Sequence, residues 1–195
     1  MTDQDTTTGR CPWCGTEPLY IAYHDDEWGV PERDSRALWE KLVLDGFQAG
    51  LAWITILRKR DSFRAAFAGF DPNVVATWGE PEVQRLLADT GIVRHRGKIE
   101  AAIRSAHIWQ TIEQREGFAN FIWRYVDGKA VQNRFDRHGQ IPAETDLSRR
   151  ISRDLKAEGM TFVGPTIVYA FLQATGLVND HLVTCHCHDR VASMA

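Results

Sequence analysis

Asp45 sits within Leu44-Asp45-Gly46-Phe47-Gln48-Ala49-Gly50-Leu51-Ala52-Trp53. It follows Leu42 by three positions, so a helix with Leu38 and Leu42 on one apolar face carries this carboxylate on that face too. An ionised carboxylate is costly to bury and rare inside proteins unless it is paired or used. Gly46 and Gly50 permit a bend or a close approach, and Trp53 follows the acid by eight residues. An enclosed acid, a pliable corner and an indole suit a pocket for a flat polar ring. A terminal-turn aspartate beside a core tryptophan would give the same string.

A second chemistry lies at the two ends of the chain. Cys11-Pro12-Trp13-Cys14 and His24 stand near one end, and His181 with Cys185-His186-Cys187-His188 near the other. His181 and Cys185 are four apart, one helical turn, so both can face one ion. A structural zinc takes four nitrogen and sulfur ligands and leaves no position for a reactive water. Ligands drawn from both termini would clasp the chain and add binding free energy to folding. Spacing alone leaves Cys14, His186, Cys187 and His188 as competing ligands, and a tail rich in His and Cys can also scavenge metal. The Cys-x-x-Cys could be a redox pair, but no strand-helix-strand pattern surrounds it.

Tyr20, Tyr23 and Trp28 crowd around His24, as a core or as a stacking wall. Ile92-Val93-Arg94-His95-Arg96-Gly97-Lys98 is the most basic stretch; such a run is usually a solvated helix face, and only its company points to DNA.

These residues need a scaffold, and the pattern predicts an all-α one of roughly eight to ten short helices. Asp34 or Ser35 can cap the helix leading to Asp45. Asp61 can cap a helix bearing Phe63 and Phe67, while Asp71-Pro72 and Glu80-Pro81 read as stop-and-restart signals. A long helix opens near Lys98, with Ile99 and Ile103 on one face, and Leu147, Ile151 and Leu155 space another that stops at Gly159. Residues 127–142 read as a polar loop without obvious chemistry, and no convincing alternating strand is present. Residues 1–10 are expected to be a disordered tail, 11–188 a single helical domain with 11–30 and 176–188 as its metal-bound lobe, and 189–195 a second tail.

A chain of 195 residues can bury one full core. Its net charge of −3 gives no global positive field, so a nucleic acid would have to meet a local patch. The polar start lacks a signal peptide's apolar core, and residues 162–178 contain Gly, Pro, Thr and Gln and suit a buried helix better than a membrane span. Four cysteines without a secretory signal predict a reducing, cytoplasmic setting and no membrane partner.

Several strings together resemble the DNA-3-methyladenine glycosylase I family of bacterial base-excision repair enzymes. They are Tyr20-Ile21-Ala22-Tyr23-His24-Asp25 with Glu27-Trp28-Gly29-Val30-Pro31, Gln48-Ala49-Gly50-Leu51 with Trp53-Ile54-Thr55, Gly91-Ile92-Val93-Arg94-His95-Arg96-Gly97-Lys98-Ile99, Phe162-Val163-Gly164-Pro165-Thr166, and Gly176-Leu177-Val178-Asn179-Asp180-His181. The resemblance spans about Cys11 to Cys187, apart from the loop near 127–145.

The resemblance implies a helix-hairpin-helix fold and one structural zinc on Cys11, His24, His181 and Cys185. It implies a base pocket made by Asp45, Tyr20, Tyr23, Trp28 and Trp53, in a monomer acting on double-stranded DNA with alkylated bases. Where the best-known members carry glutamate this chain has Asp45, one methylene shorter, and Ala52 replaces a serine that commonly precedes the tryptophan. The hairpin falls at 159–165, with Gly159, Phe162 and Gly164 near a phosphate; Arg94, Arg96 and Lys98 are further phosphate contacts. Gln48, Gly50 and Leu51 are candidates for entering the duplex gap. The motifs that supply the pocket residues offer no lysine for a Schiff base, so a monofunctional hydrolase of 3-methyladenine is expected. The rival readings are a non-catalytic zinc-containing module that grips DNA or RNA, and a small-molecule zinc hydrolase, which a filled ligand set would exclude.

Overall fold

The computed structural model describes residues 9–194. Eleven α-helices follow one another among them: α1 (Pro18–Asp26), α2 (Ser35–Gln48), α3 (Trp53–Leu57), α4 (Arg60–Ala66), α5 (Pro72–Val75), α6 (Glu80–Ala88), α7 (Arg96–Arg115), α8 (Phe118–Trp123), α9 (Asp146–Ala157), α10 (Pro165–Ala174) and α11 (Cys187–Ala192). The expected caps form: Asp34 Oδ1 accepts from Ala37 N at 2.8 Å and Asp71 Oδ1 from Asn73 N at 3.0 Å. Asp61 is not a cap, because α4 starts one residue earlier and places Asp61 in its first turn.

α2 is the central element. Leu38, Trp39, Leu42, Val43, Leu44 and Phe47 are all buried in the main core, among Phe63, Phe67 and Phe70 and against α7, α8 and α10. A smaller apolar cluster gathers Cys11, Tyr23, Trp28, Leu57, Leu182 and Cys185, and Trp53 packs against both clusters. The two chain ends meet at Gly176, whose φ is +69°. A Cβ there would lie 2.5 Å from Pro31 N and 2.6 Å from Gly29 O, so no other residue lets these backbones touch.

Two readings of the chain's organisation are corrected. A two-residue strand β1 (Val131–Gln132) pairs in parallel with β2 (Val178–Asn179). So short a pair leaves no alternating pattern in the sequence, yet it stitches the 127–145 loop to the C-terminal segment. The tail expected from 189 is instead the body of α11, which buries Val191 at 1% exposure in a groove that local pattern cannot reveal. The expected N-terminal tail lies mostly outside the described residues; Arg10 is docked, its Nε donating to Asp25 at 2.9 Å. No helix among the described residues is long and apolar enough to cross a membrane.

A candidate active site and a candidate metal centre

Four of the expected residues do converge at one point. The ligand atoms of Cys11, His24, His181 and Cys185, all buried, lie within 4.8 Å of one another. Cys11 Sγ is 3.6 Å from His181 Nδ1, and Cys185 Sγ is 3.5 Å from both His24 Nε2 and His181 Nδ1. A zinc tetrahedron with Zn–S of about 2.3 Å and Zn–N of about 2.0–2.1 Å has S···N edges of about 3.5 Å. The cluster therefore has the donor types and the edge lengths of a four-coordinate metal site.

Its surroundings orient the ligands as metal sites require. His24 turns its other nitrogen, Nδ1, to Asp25 Oδ1 at 2.7 Å, and His181 turns Nε2 to the Trp28 carbonyl at 2.9 Å. Backbone N–H groups of Leu182 and Cys187 donate to the sulfurs of Cys11 and Cys185. Two of the surplus candidates point elsewhere: Cys14 Sγ donates to Cys11 O, and His188 Nε2 lies 3.2 Å from Asn133 O. Cys187 and the exposed His186 stay beside Cys185, with Cys187 Sγ 3.3 Å from His186 Nε2. Asn179 and Asp180, which sequence reasoning left without a role, build the support. Asp180 accepts from Asn133, Tyr169 and Gln173, while Asn179 Oδ1 accepts from His181 N.

Beside this cluster lies a cavity of about 220 Å³. Tyr20, Tyr23, Trp28, Asp45 and Trp53, the residues that the resemblance implies for a base pocket, all line it, and so does Gln48, read as a candidate for entering the duplex gap. Trp13, His138, Ile141 and Lys41 also line it and were missed. Trp13 edges onto Tyr20, Trp28 and His24 at 5.0–5.3 Å between centroids. His138 and Ile141 come from the loop read as featureless. Lys41 is the most consequential, and its i to i+4 spacing from Asp45 on α2 was the available signal.

Asp45 is 2% exposed, and its Oδ1 accepts from Lys41 Nζ at 2.5 Å. Burial raises the Asp45 carboxyl above its ordinary value, opposed by the Lys41 charge; burial likewise lowers the Lys41 ammonium, opposed by Asp45. Burial also raises both tyrosines, Tyr23 strongly, so they stay neutral phenols. Asp45 Oδ2, Trp53 Nε1 and Trp13 Nε1 are the three buried side-chain polar atoms without a hydrogen-bond partner among the described residues. All three belong to residues lining this cavity. The core indoles of Trp39, Trp109 and Trp123, by contrast, each donate to an oxygen at 2.7–3.0 Å. Orphaned polar atoms are rare in native interiors, and three around one hollow mark a place where a ligand would supply the partners.

The expected DNA contacts fare unevenly. Arg94 is exposed. Arg96 is held by Glu80 and Glu100, and its guanidinium pulls the Glu80 carboxyl down to about 2. Lys98 is corrected: it is buried, and its Nζ donates to Phe47 O at 2.9 Å and Ala49 O at 2.7 Å, tying off the carbonyl end of α2. Phe162 has φ of +58° and turns its side chain onto Gly46 and His95, so it anchors the loop between α9 and α10 rather than projecting from it. Gly159 is exposed and Gly164 caps α10. Gln48 Nε2 donates to Leu51 O at 2.6 Å, and Leu51 stands 39% exposed beside Gly50.

Comparison with known proteins agrees with this geometry. The family model for methyladenine glycosylase matches residues 13–188. "DNA-3-methyladenine glycosylase 1" of Escherichia coli K12 is 50% identical over 180 residues, covering 92% of this chain and 96% of that protein. A solved 3-methyladenine DNA glycosylase I from Staphylococcus aureus superposes with a TM-score of 0.91 at 36% identity, covering 94% of this chain and 98% of that one. A structure of a variant 3-methyladenine DNA glycosylase I in complex with 3-methyladenine superposes with a TM-score of 0.90 at 36% identity, covering 92% and 97%. On the match to its family model and on its identity to these repair enzymes, the chain belongs to the methyladenine glycosylase family.

Proposed function

We propose that this chain hydrolyses the N-glycosidic bond of 3-methyladenine in double-stranded DNA after swinging the base into the cavity lined by Asp45 and Trp53. The observation that carries this reading is the set of unpartnered Asp45 Oδ2, Trp53 Nε1 and Trp13 Nε1 around a hollow of about 220 Å³. A similar structure was solved with 3-methyladenine bound.

Adenine methylated at N3 while still bonded to deoxyribose carries positive charge and is already a good leaving group. The protein must find it, extrude it and hold it while water attacks the sugar. Extrusion costs a few kcal/mol, less for a weakly paired damaged base. Stacking on an aromatic face returns about 1–3 kcal/mol, and a charged ring adds cation–π attraction. Trp53 supplies that face. Tyr23 is in direct contact with Trp53 at 5.5 Å between centroids, which leaves no room for a base between these two; Tyr20 or Trp28 would form the opposite wall. Asp45 would accept hydrogen bonds from the ring edge and favour its cationic form.

The turn between α9 and α10 is read as the hairpin, where the N–H groups of Thr166 and Ile167, in the first turn of α10, face a DNA phosphate. Leu51 is read as the wedge that enters the duplex gap, with Gln48 bracing its carbonyl. Cys11, His24, His181 and Cys185 would hold one zinc ion, closing the two chain ends as a scaffold and leaving no position for reactive water. The enzyme is read as a monomer of a reducing compartment, and monofunctional. Lys41 does lie in the cavity, although the motifs that supply the pocket residues hold no lysine, and its Nζ is engaged by Asp45 Oδ1 rather than presented as a free nucleophile. Release of free 3-methyladenine from methylated duplex DNA, measured beside metal content, tests the reading. Duplex binding without release would leave a non-catalytic module.

A further inference from the structure

Lys41 Nζ lies 2.5 Å from Asp45 Oδ1 and 3.8 Å from the centroid of the Trp53 ring. One cation thus holds Asp45 Oδ1, leaving Oδ2 unpartnered, and covers the Trp53 face that a base would use. A ring stacked there and bonded to Asp45 has to dislodge it, since two bodies cannot share that face.

The fold provides somewhere for the ammonium to go. Lys41 also lines a second cavity of about 270 Å³, which shares Tyr23, Trp53 and Ala174 with the first. Asp26, Glu27, Glu32 and Glu40 line it against Arg60 and Arg64, so carboxylates outnumber guanidiniums and a displaced cation is attracted. Glu27 pairs with Arg60 and Glu40 with Arg64, which holds these acids in place. The flexible four-carbon stem of lysine can make the move without shifting the backbone of α2.

We propose that Lys41 is a displaceable internal cation: it fills the ring slot of the free enzyme and swings into the acid-lined cavity when a flipped base arrives. This rests on the reading of Asp45 and Trp53 as base-binding groups. Lys41 thereby sets a threshold. Every ring that enters must replace its contact with Asp45 and with the Trp53 face, and an uncharged, undamaged base does so less well than a cationic one. Apparent affinity for any base is lowered by the fraction of enzyme in which Lys41 has vacated the slot.

Two measurements test this. In wild-type protein with 13C-labelled lysine, the Lys41 ε-methylene resonance should be shifted upfield by the Trp53 ring and should lose that shift on saturation with free 3-methyladenine. By calorimetry, Lys41→Met should bind free 3-methyladenine about tenfold or more tighter than wild type. A ring-current shift that persists in the saturated complex, or equal or weaker binding by a folded Lys41→Met, overturns the proposal. The resonance experiment decides alone if the variant does not fold. Wild-type protein that neither binds nor excises 3-methyladenine would instead remove the proposed function on which this inference stands.

Discussion

Asp45 Oδ2 and Trp53 Nε1 are buried, unpartnered and contributed to the same cavity by α2 and by the first residue of α3. The two atoms offer one acceptor and one donor, which is the complement that the edge of a purine can satisfy.

The acceptor is the first to test. Asp45→Asn keeps the shape and removes the charge, and a hydrogen bond to a charged group contributes about 1.5–3 kcal/mol. Excision of 3-methyladenine should fall about tenfold to a hundredfold or more, with free-base binding weakened in parallel. Unchanged rate and unchanged binding would take Asp45 out of the site.

Trp53 should matter through its face. Trp53→Ala should weaken free-base binding by about 1–3 kcal/mol, while Trp53→Phe should recover most of it, because every aromatic ring offers a π surface. Titration by tryptophan fluorescence or calorimetry distinguishes the two; equal losses would point to a packing role instead.

Metal content should be one zinc per chain. Cys185→Ser and His181→Ala should lose it and lower the melting temperature, whereas Cys14→Ser and His186→Ala should keep the stoichiometry. Replacement of zinc by another tetrahedral ion should leave the single-turnover excision rate unchanged. A changed chemical rate would show that the metal is more than scaffold.

The Asp45–Lys41 pair should reduce stability near neutral pH. The folded state holds the Asp45 proton more tightly than the unfolded chain does, so the Asp45 contribution is present at low pH and is lost as pH rises through its folded pKa. Lys41 is depressed in the fold, so its contribution is present above its unfolded pKa and lost as pH falls through the folded one. Both are absent between those values. The double variant Lys41→Met/Asp45→Leu should therefore be as stable as wild type or about 1–4 kcal/mol more so, with the gain largest in that window. Thermal unfolding across pH reads it.

DNA binding should depend on Arg94 more than on Arg96. Arg94→Ala should reduce the slope of log affinity against log salt by about one, while Arg96→Ala should change it less, because Glu80 and Glu100 already hold that guanidinium.

The positions that local rules govern were legible in the chain itself. The Asp34 and Asp71 caps, the face of α2 and the burial of Asp45 follow from helical period and capping chemistry, which act over a few residues. Composition and spacing found the metal ligands only as a surplus, and the resemblance selected four of them. Tertiary structure decided the rest. It alone set Lys98 on the end of α2, folded residues 187–192 onto the body and brought His138 and Ile141 to the cavity. It also placed the Lys41 ammonium on the Trp53 ring twelve residues away. Each of these rests on contacts between segments far apart in sequence or across a turn. No periodicity within one segment encodes where another segment will lie, and a polar group's role is fixed by the partner it finds there.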